Sequence, residues 1–318
     1  MATYLGVDLG ATSVRAVVGD RAGNVVGTHR AATPRTASGA AVTEAVVDAA
    51  REACADAGVA PESVAAAGVG AVGPIDPAEG AAVAPANLPA GVGRIPLTGP
   101  LETLCATGRV FLHNDATAGA IGERFFADAP EDMVYLTLST GIGAGAVVDG
   151  AVLSGWNGNA GEVGHVTVDP DGQRPCGCGG AGHWEAYCAG ANIPDYARSL
   201  HAGEPTALPL DDDDFSTADV FAHAETDDLA ARAVERIARW NAIGVATVVH
   251  VYAPQTVVVG GGVARHNADG VLEPLRERLP ERVTTDVPTV RLTDHGDDAV
   301  VLGALASAIT GGTGDRRN

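Results

Sequence analysis

A short hairpin pattern occurs twice in the chain, and few folds accommodate such a repeat. Tyr4-Leu5-Gly6-Val7-Asp8-Leu9-Gly10 aligns with Tyr135-Leu136-Thr137-Leu138-Ser139-Thr140-Gly141, and Ala16-Val17-Val18-Gly19 falls on Val147-Val148-Asp149-Gly150. In each copy an apolar run enters a glycine turn and leaves it again, the pattern of a strand, a tight turn and a strand returning antiparallel. Two copies predict two similar domains, each offering a backbone-lined turn to a shared cleft. Chance likeness between two glycine-rich hairpins is the plainer alternative.

Around the copies, strands alternate with helices, which is α/β patterning. Residues 4–8, 14–19 and 24–29 read as strands with turns at Gly10 and Gly23, followed by strands over 64–72 and 109–112. The second set covers 133–138 and 144–149, and 256–259 runs into Gly260-Gly261-Gly262. Helices are predicted over 40–57, 115–126, 228–252 and 300–309. In the third of these, Leu229, Ala233, Ile237, Trp240, Gly244 and Val248 form one apolar stripe. Residues 311–318 read as a frayed tail. At about 100 to 200 residues per domain, 318 residues suggest two domains or one large one.

All 20 basic residues are arginine, against 40 acidic ones, so the formal charge is −20. The absence of lysine excludes a Walker-type phosphate loop, a protein kinase and a Schiff-base enzyme, each of which needs that side chain. The acidic balance opposes nucleic-acid binding, which rests on a basic surface. It also suggests adaptation to concentrated salt, where a Debye length of about 3 Å at 1 M screens repulsion among carboxylates. Five cysteines are an odd number in a chain too large to need disulfides, which points to a reducing cytoplasm. No leader pattern follows Met1, and no apolar run approaches a membrane span.

Several clusters carry chemistry. Asp8-Leu9-Gly10-Ala11-Thr12-Ser13 puts a carboxylate at a strand end before a turn whose N–H groups can cradle phosphate, and Asp8 can hold Mg²⁺ through water. Ser139-Thr140-Gly141-Ile142-Gly143 offers a second such turn at the matching place. Without lysine, charge on a transferring phosphoryl group must be met by Mg²⁺, backbone dipoles and Arg15. Gly68-Val69-Gly70-Ala71-Val72-Gly73 formally matches a dinucleotide fingerprint. Pro74 and Pro77 follow where that fold needs a helix, so these glycines instead admit a small ligand to the backbone. His113-Asn114-Asp115 joins a strand end to a helix start. There Asn114 and Asp115 read as an N-cap, and the Asp115 carboxylate reads equally as a base for an attacking hydroxyl.

His165, Cys176, Cys178 and His183 supply two imidazoles and two thiolates over 19 residues. That is a complete tetrahedral set for a structural Zn²⁺, unless the loop merely carries incidental Cys and His. Cys54, Cys105 and Cys188 read as core residues. Glu162 and Glu185 flank the metal loop; pinned there they suit the vicinal hydroxyls of a sugar, and otherwise they are solvated loop acids. The run Asp211 to Asp214 reads as a solvated loop.

Together these residues resemble the ROK family of sugar kinases and repressors, within the actin-like ATPase and hexokinase group, over nearly the whole chain. Asp8 to Thr12 resembles the family's first phosphate motif and Ser139 to Gly143 the second. Gly68 to Asp76 resembles its sugar loop, and Asn87-Leu88-Pro89 the asparagine segment after it. Asn114-Asp115-Ala116 is similar to the segment with the catalytic aspartate, and Glu162-Val163-Gly164-His165 to the sugar-binding E-x-G-H motif. Cys176 to Glu185 resembles the zinc signature, and Gly260-Gly261-Gly262 the adenosine-side loop. Two departures stand out: Ala11 replaces a second glycine in the phosphate turn, and His183 replaces a third cysteine.

The resemblance implies a two-lobed α/β fold of the actin-like ATPase, ribonuclease H-like type, with duplicated domains around a cleft. Residues 1–113 plus about 299–318 would form a smaller N-terminal lobe, and 114–298 a larger C-terminal lobe with the zinc loop at 162–185. It implies that Asp115 takes the proton of a sugar hydroxyl, the C6 hydroxyl of a hexose with glucose first, as that oxygen attacks MgATP. Gly73, Asn87, Asn114, Asp115, Glu162, His165 and Glu185 would hold the sugar. Asp8, Gly10, Ala11, Thr12, Thr140, Gly141, Gly261 and Gly262 would hold ATP and Mg²⁺, and His165, Cys176, Cys178 and His183 would hold Zn²⁺. It implies a homo-oligomer, a dimer or tetramer, with sugar and ATP as partners; the acidic balance and the lack of a long apolar run speak against nucleic acid and membrane. Alternatives are a kinase for fructose or N-acetylmannosamine, a different phosphoryl donor, or a sugar-responsive repressor. The repressor is disfavoured, because the first strand begins at Tyr4 and leaves no room for a helix-turn-helix.

Overall fold

A computed structural model describes residues 2–315 apart from 86, 90, 128 and 173, so the last part of the expected tail, 316–318, lies outside the described residues. The strands are β1 (Thr3–Leu9), β2 (Ser13–Gly19), β3 (Val25–Ala32), β4 (Val64–Ala71), β5 (Ile75–Asp76), β6 (Ala81–Val83), β7 (Arg94–Pro96) and β8 (Val110–Asn114), followed by β9 (Met133–Leu138), β10 (Ile142–Val148), β11 (Ala151–Val152), β12 (Thr256–Gly260) and β13 (Thr289–Leu292). The helices are α1 (Gly39–Asp56), α2 (Thr98–Cys105), α3 (Asp115–Phe126), α4 (Trp184–Cys188), α5 (Ile193–Leu200), α6 (Thr217–Ala222), α7 (Asp228–Tyr252), α8 (Gly262–His266), α9 (Ala268–Arg278) and α10 (Ala299–Thr310).

The repeated hairpin is a duplicated sheet. One five-stranded sheet has the order β3-β2-β1-β4-β8 and the other β11-β10-β9-β12-β13, so both run third, second, first, fourth, fifth in their own strand sequence. The first three strands of the first sheet pair antiparallel, and β4 and β8 join β1 in parallel. The glycine-rich end of β4 leads into a turn and β5, with no helix opening there, which removes the dinucleotide reading as expected.

Contacts divide the chain into two units. One comprises Met1–Tyr135, Gly145–Gly161 and Asp297–Asn318, and the other Leu136–Ala144 and Glu162–Gly296. Residues 114–135, 145–161 and 297–298, expected in the second lobe, thus pack with the first unit. The cause is α3, which lies against α10 so closely that a Cβ on Gly303 would land on the carbonyl of Ala118. Only glycine lets two helix backbones approach in this way. The expected frayed tail is also tied down as far as Asp315. The Arg124 guanidinium donates to the Thr313 carbonyl at 2.9 Å and pairs with Asp315 at 3.2 Å.

In the first unit β1 and β4 are buried along nearly their whole length, as central strands covered on both faces should be. Alternation sends Leu5, Val7 and Leu9 into one core with Val42, Val46 and Ala50 of α1. Tyr4 goes the other way, to Val301 and Leu305 of α10. In the second unit α7 is the axis. Its predicted stripe is buried throughout, and Asp227 caps it by accepting from the N–H groups of Leu229 and Ala230. Trp184 at the start of α4 is fully buried against Gly244 and donates to Asn241 at 2.8 Å, fixing α4 on α7.

Candidate active site

The first unit carries Asp8, the glycine turn of Gly10, Ala11 and Thr12, and Gly73, Asn87, Asn114 and Asp115. Asp8 sits on the same face of β1 as Tyr4, and strand register sets Arg15 directly opposite it on β2. The Arg15 guanidinium pairs with Asp8 at 2.9 Å and with Asp298, at the start of α10, at 3.2 Å. Asp8 is only 4% exposed, and burial pushes its carboxyl up to about 6 although Arg15 pulls the other way. The turn itself is closed by a Gly10 N–H to Ser13 carbonyl bond of 3.0 Å. Thr33 straps it from β3's end, its hydroxyl donating to the Gly10 carbonyl at 2.8 Å. Ala11 keeps negative φ and rests its methyl on the core, so this turn does not require the glycine it lacks.

Asn114 ends β8 and caps α3, its Oδ1 accepting from the Ala116 N–H at 3.0 Å. Asp115 is the first helical residue, half-buried, with Oδ1 held by the same N–H at 2.7 Å. The cap and the candidate base are therefore two adjacent residues, and neither reading displaces the other. The next residue back, His113, bonds Ser307 of α10 at 2.8 Å, and burial lowers its pKa to about 4, so it is neutral at physiological pH. Gly73 is half-buried in the turn after β4, and Asn87 is exposed in a turn between β6 and β7.

The second unit carries Thr140, Gly141, Glu162, His165, Glu185, Gly261 and Gly262, with Cys176, Cys178 and His183. The turn after β9 is closed by the Ser139 N–H donating to the Gly141 carbonyl at 3.0 Å, and the Gly190 N–H donates to Ser139 at 2.7 Å. Gly261 has φ +89° and lies against the Leu138 backbone, where any side chain would collide. Glu185 accepts from the Ile142 N–H at 2.9 Å, which joins α4 to this turn. Glu162 and Glu185 are close enough to repel. Burial raises the Glu162 carboxyl, His165 opposes that rise, and Glu185 adds to it.

His165 faces two ways. Its Nδ1 lies 3.6 Å from the Cys176 sulfur and its Nε2 lies 3.7 Å from Glu162. The Cys178 sulfur is 3.2 Å from His183 Nδ1, and the four ligand atoms lie within 4.8 Å of one another. Ligands at about 2.0 to 2.3 Å from a tetrahedral zinc stand roughly 3.5 Å apart, so the donor set and its spacing fit that ion. Cys54, Cys105 and Cys188 are buried and free, and Asp211 to Asp214 is exposed, as the sequence leads one to expect.

Two partners escape sequence reasoning. Asp298 lies 283 residues from Arg15, and no local pattern ties them. Asn159, in the loop before Glu162, clasps the backbone of Ile75 with a two-way hydrogen bond. Among the described residues, no helix is long and apolar enough to cross a membrane.

A duplicated sheet with a buried strand-end aspartate and two glycine turns defines a class, the actin-like ATPase fold, and the comparisons narrow it. The ROK family model matches residues 4–310. The glucokinase of Pyrobaculum calidifontis is 38% identical over 311 residues, covering 97% of this chain and 95% of the relative. The ROK hexokinase of Thermus thermophilus superposes with a TM-score of 0.79 at 36% identity, covering 96% of this chain and 98% of the other. A ROK family glucokinase from Streptomyces griseus, solved with glucose and AMPPNP, superposes with a TM-score of 0.79 at 29% identity, covering 96% and 99%. The chain belongs to the ROK family.

Proposed function

We propose that this protein is an ATP-dependent glucokinase that transfers the γ-phosphoryl group of MgATP to the C6 hydroxyl of glucose. The observation that carries the reading is Asp115, an oriented, half-buried carboxylate on the first turn of α3, in a chain similar to glucokinases over almost its whole length. One oxygen of Asp115 is fixed by a backbone N–H, so the carboxylate is aimed before substrate arrives. It accepts the proton of the C6 hydroxyl as that oxygen attacks the γ-phosphorus, whose bond to the β–γ bridging oxygen breaks to release ADP. Asn114, Glu162, His165 and Glu185, with Gly73 and Asn87, hold the other hydroxyls. The paired acids Glu162 and Glu185 suit vicinal O–H donors, which relieve the repulsion between them.

Gly10, Ala11, Thr12, Thr140, Gly141, Gly261 and Gly262 offer backbone groups to the nucleotide, and Asp8 is the carboxylate that would hold Mg²⁺. That ion supplies the positive charge that a lysine supplies in other kinases. Arg15, already bridged between Asp8 and Asp298, is the cation at hand beside it. His165, Cys176, Cys178 and His183 hold a structural Zn²⁺, which pins the loop carrying Glu162 and Glu185. The protein acts in the cytoplasm as a homodimer or homotetramer and is adapted to high salt.

The test is ATP-dependent phosphorylation of a hexose panel at low and molar KCl, with Asp115→Ala alongside. Turnover on glucose above other sugars is expected, with the variant binding glucose but losing at least about a hundredfold in kcat. Turnover on another sugar alone would keep the mechanism and change the substrate. Substantial activity in the variant would remove Asp115 as the base.

A further inference from the structure

Strand β5 is two residues long, and on one side it pairs with β6 in the register Ile75↔Ala82. Among the described residues, no strand pairs with its other edge. There the carboxamide of Asn159 takes the strand's place: its Oδ1 accepts from the Ile75 N–H at 3.0 Å and its Nδ2 donates to the Ile75 carbonyl at 2.9 Å. The same Nδ2 donates to the Asn157 carbonyl at 2.7 Å, so the clasp also fixes the loop from which it reaches. An amide side chain is the one group that carries donor and acceptor in the geometry of a peptide. The two loops it joins, with Ile75 and Asp76 on one side and Asn157 and Gly158 on the other, line a single cavity of about 380 Å³.

We propose that Asn159 is a positioning residue for the sugar. It holds the loop of Gly73 to Asp76 in register, so that the Gly73 backbone meets the substrate in one preset arrangement. Without the clasp the loop is held on one side only, by the β5–β6 pairing, the Val83 N–H to Pro74 carbonyl bond of 2.8 Å and the Glu79 N–H to Asp76 bond of 3.1 Å, so its Asn159 side can sample several arrangements at the expense of the binding-competent one. Asn159 itself touches no substrate in this scheme. The role rests on the glucokinase reading, and it adds a residue that the sugar motifs do not include.

Asn159→Ala and Asn159→Asp separate the clasp from bulk stability. The alanine variant removes both bonds, whereas the aspartate keeps the acceptor and sets a carboxylate oxygen against the Ile75 carbonyl. Both are expected to raise the KM for glucose about tenfold, with kcat and the KM for ATP within about twofold of wild type. Backbone amide exchange in 73–83, followed without ligand, is expected to quicken in both, with other segments unchanged. Lowering the pH should restore glucose affinity, measured by calorimetry, in Asn159→Asp alone, because a protonated carboxyl regains a donor. An active wild type beside variants of unchanged glucose KM would overturn the role, as would unaltered exchange in 73–83. Equal losses in both substrates' KM and in kcat would mark a merely structural residue. A wild type inert toward glucose would sink the functional reading and this role with it.

Discussion

Asp8 meets two opposed demands. Its place at the end of a central strand takes it out of water, and Arg15 recovers only part of the loss, leaving the carboxyl at about 6. An aspartate in the unfolded chain titrates near 3.9, so between the two values the folded form holds a proton that the unfolded form has released. Stability from this group is therefore greatest below the unfolded value and is lost as pH rises through about 6. From pH 5 to pH 8 that loss is on the order of 1 kcal/mol. Asp8→Asn cancels it. Without nucleotide or Mg²⁺, the variant's melting temperature relative to wild type is expected to be higher at pH 8 than at pH 5, while its ATP turnover collapses. A difference that stays the same at both pH values would show that burial does not govern the carboxyl. The glycine turns after β1 and β9 and the Asn114 cap were legible in sequence, because turns and caps are local chemistry. Their partners were not: the Asp8–Arg15 pairing needs the hairpin register, and Asp298 and Asn159 act across distances in the chain that no spacing rule spans.

Strand β3 runs three residues past its expected end at 29 and β10 starts two residues before its expected start at 144, whereas some elements long enough to show a period match their expected bounds. Helices α3 and α7 and strand β9 are such cases, each with several turns or alternations of buried residues. The sheet of β5, β6 and β7 escaped because its strands are two or three residues long, too short for alternation to register. Helix α9 hides behind an internal Pro274, and α6 starts on a Ser216–Asp219 capping box where Glu or Gln is the usual signal. The contact between α3 and α10 is invisible in sequence for another reason: it is made by an absent side chain. Gly303→Val is expected to cost about 3 kcal/mol or more, measured by urea unfolding, because it meets the Ala118 backbone, which cannot give way. Gly99 in α2 has open space where its Cβ would be, and Gly99→Ala should stabilise by about 0.5 to 1 kcal/mol. Comparable losses at both positions would refute the packing argument. The metal loop makes its own prediction. Elemental analysis should find about one zinc per chain, and its removal by chelator should lower both the melting temperature and the affinity for glucose. A protein without bound metal that retains full glucose affinity would exclude the zinc reading.

Across the whole molecule, arginine is the only cationic side chain apart from histidine, and many of the arginines are committed locally. Arg51, Arg94, Arg198, Arg276 and Arg278 each pair with a neighbouring surface carboxylate at 2.8 Å or less. Such pairs contribute little individually, but they use up the positive charge and leave the acidic excess elsewhere uncompensated. Spread evenly, the net −20 over 13350 Å² amounts to one charge in about 670 Å², or a spacing near 26 Å. That spacing already exceeds the Debye length of about 10 Å at 0.1 M salt, so uniform repulsion is not where a salt requirement would arise. It would arise where acids crowd within a Debye length, and the exposed run Asp211 to Asp214 is such a place. The melting temperature is therefore expected to rise by several degrees between 0.1 and 2 M KCl. Asp211→Asn with Asp213→Asn should flatten that rise while leaving the value at 2 M nearly unchanged, since the Debye length there is only about 2 Å and screening is almost complete. A melting temperature insensitive to salt would remove the adaptation argument. A salt response that the double variant leaves intact would move its origin away from this run and into the many scattered acids, whose contribution is weak singly and large only in sum.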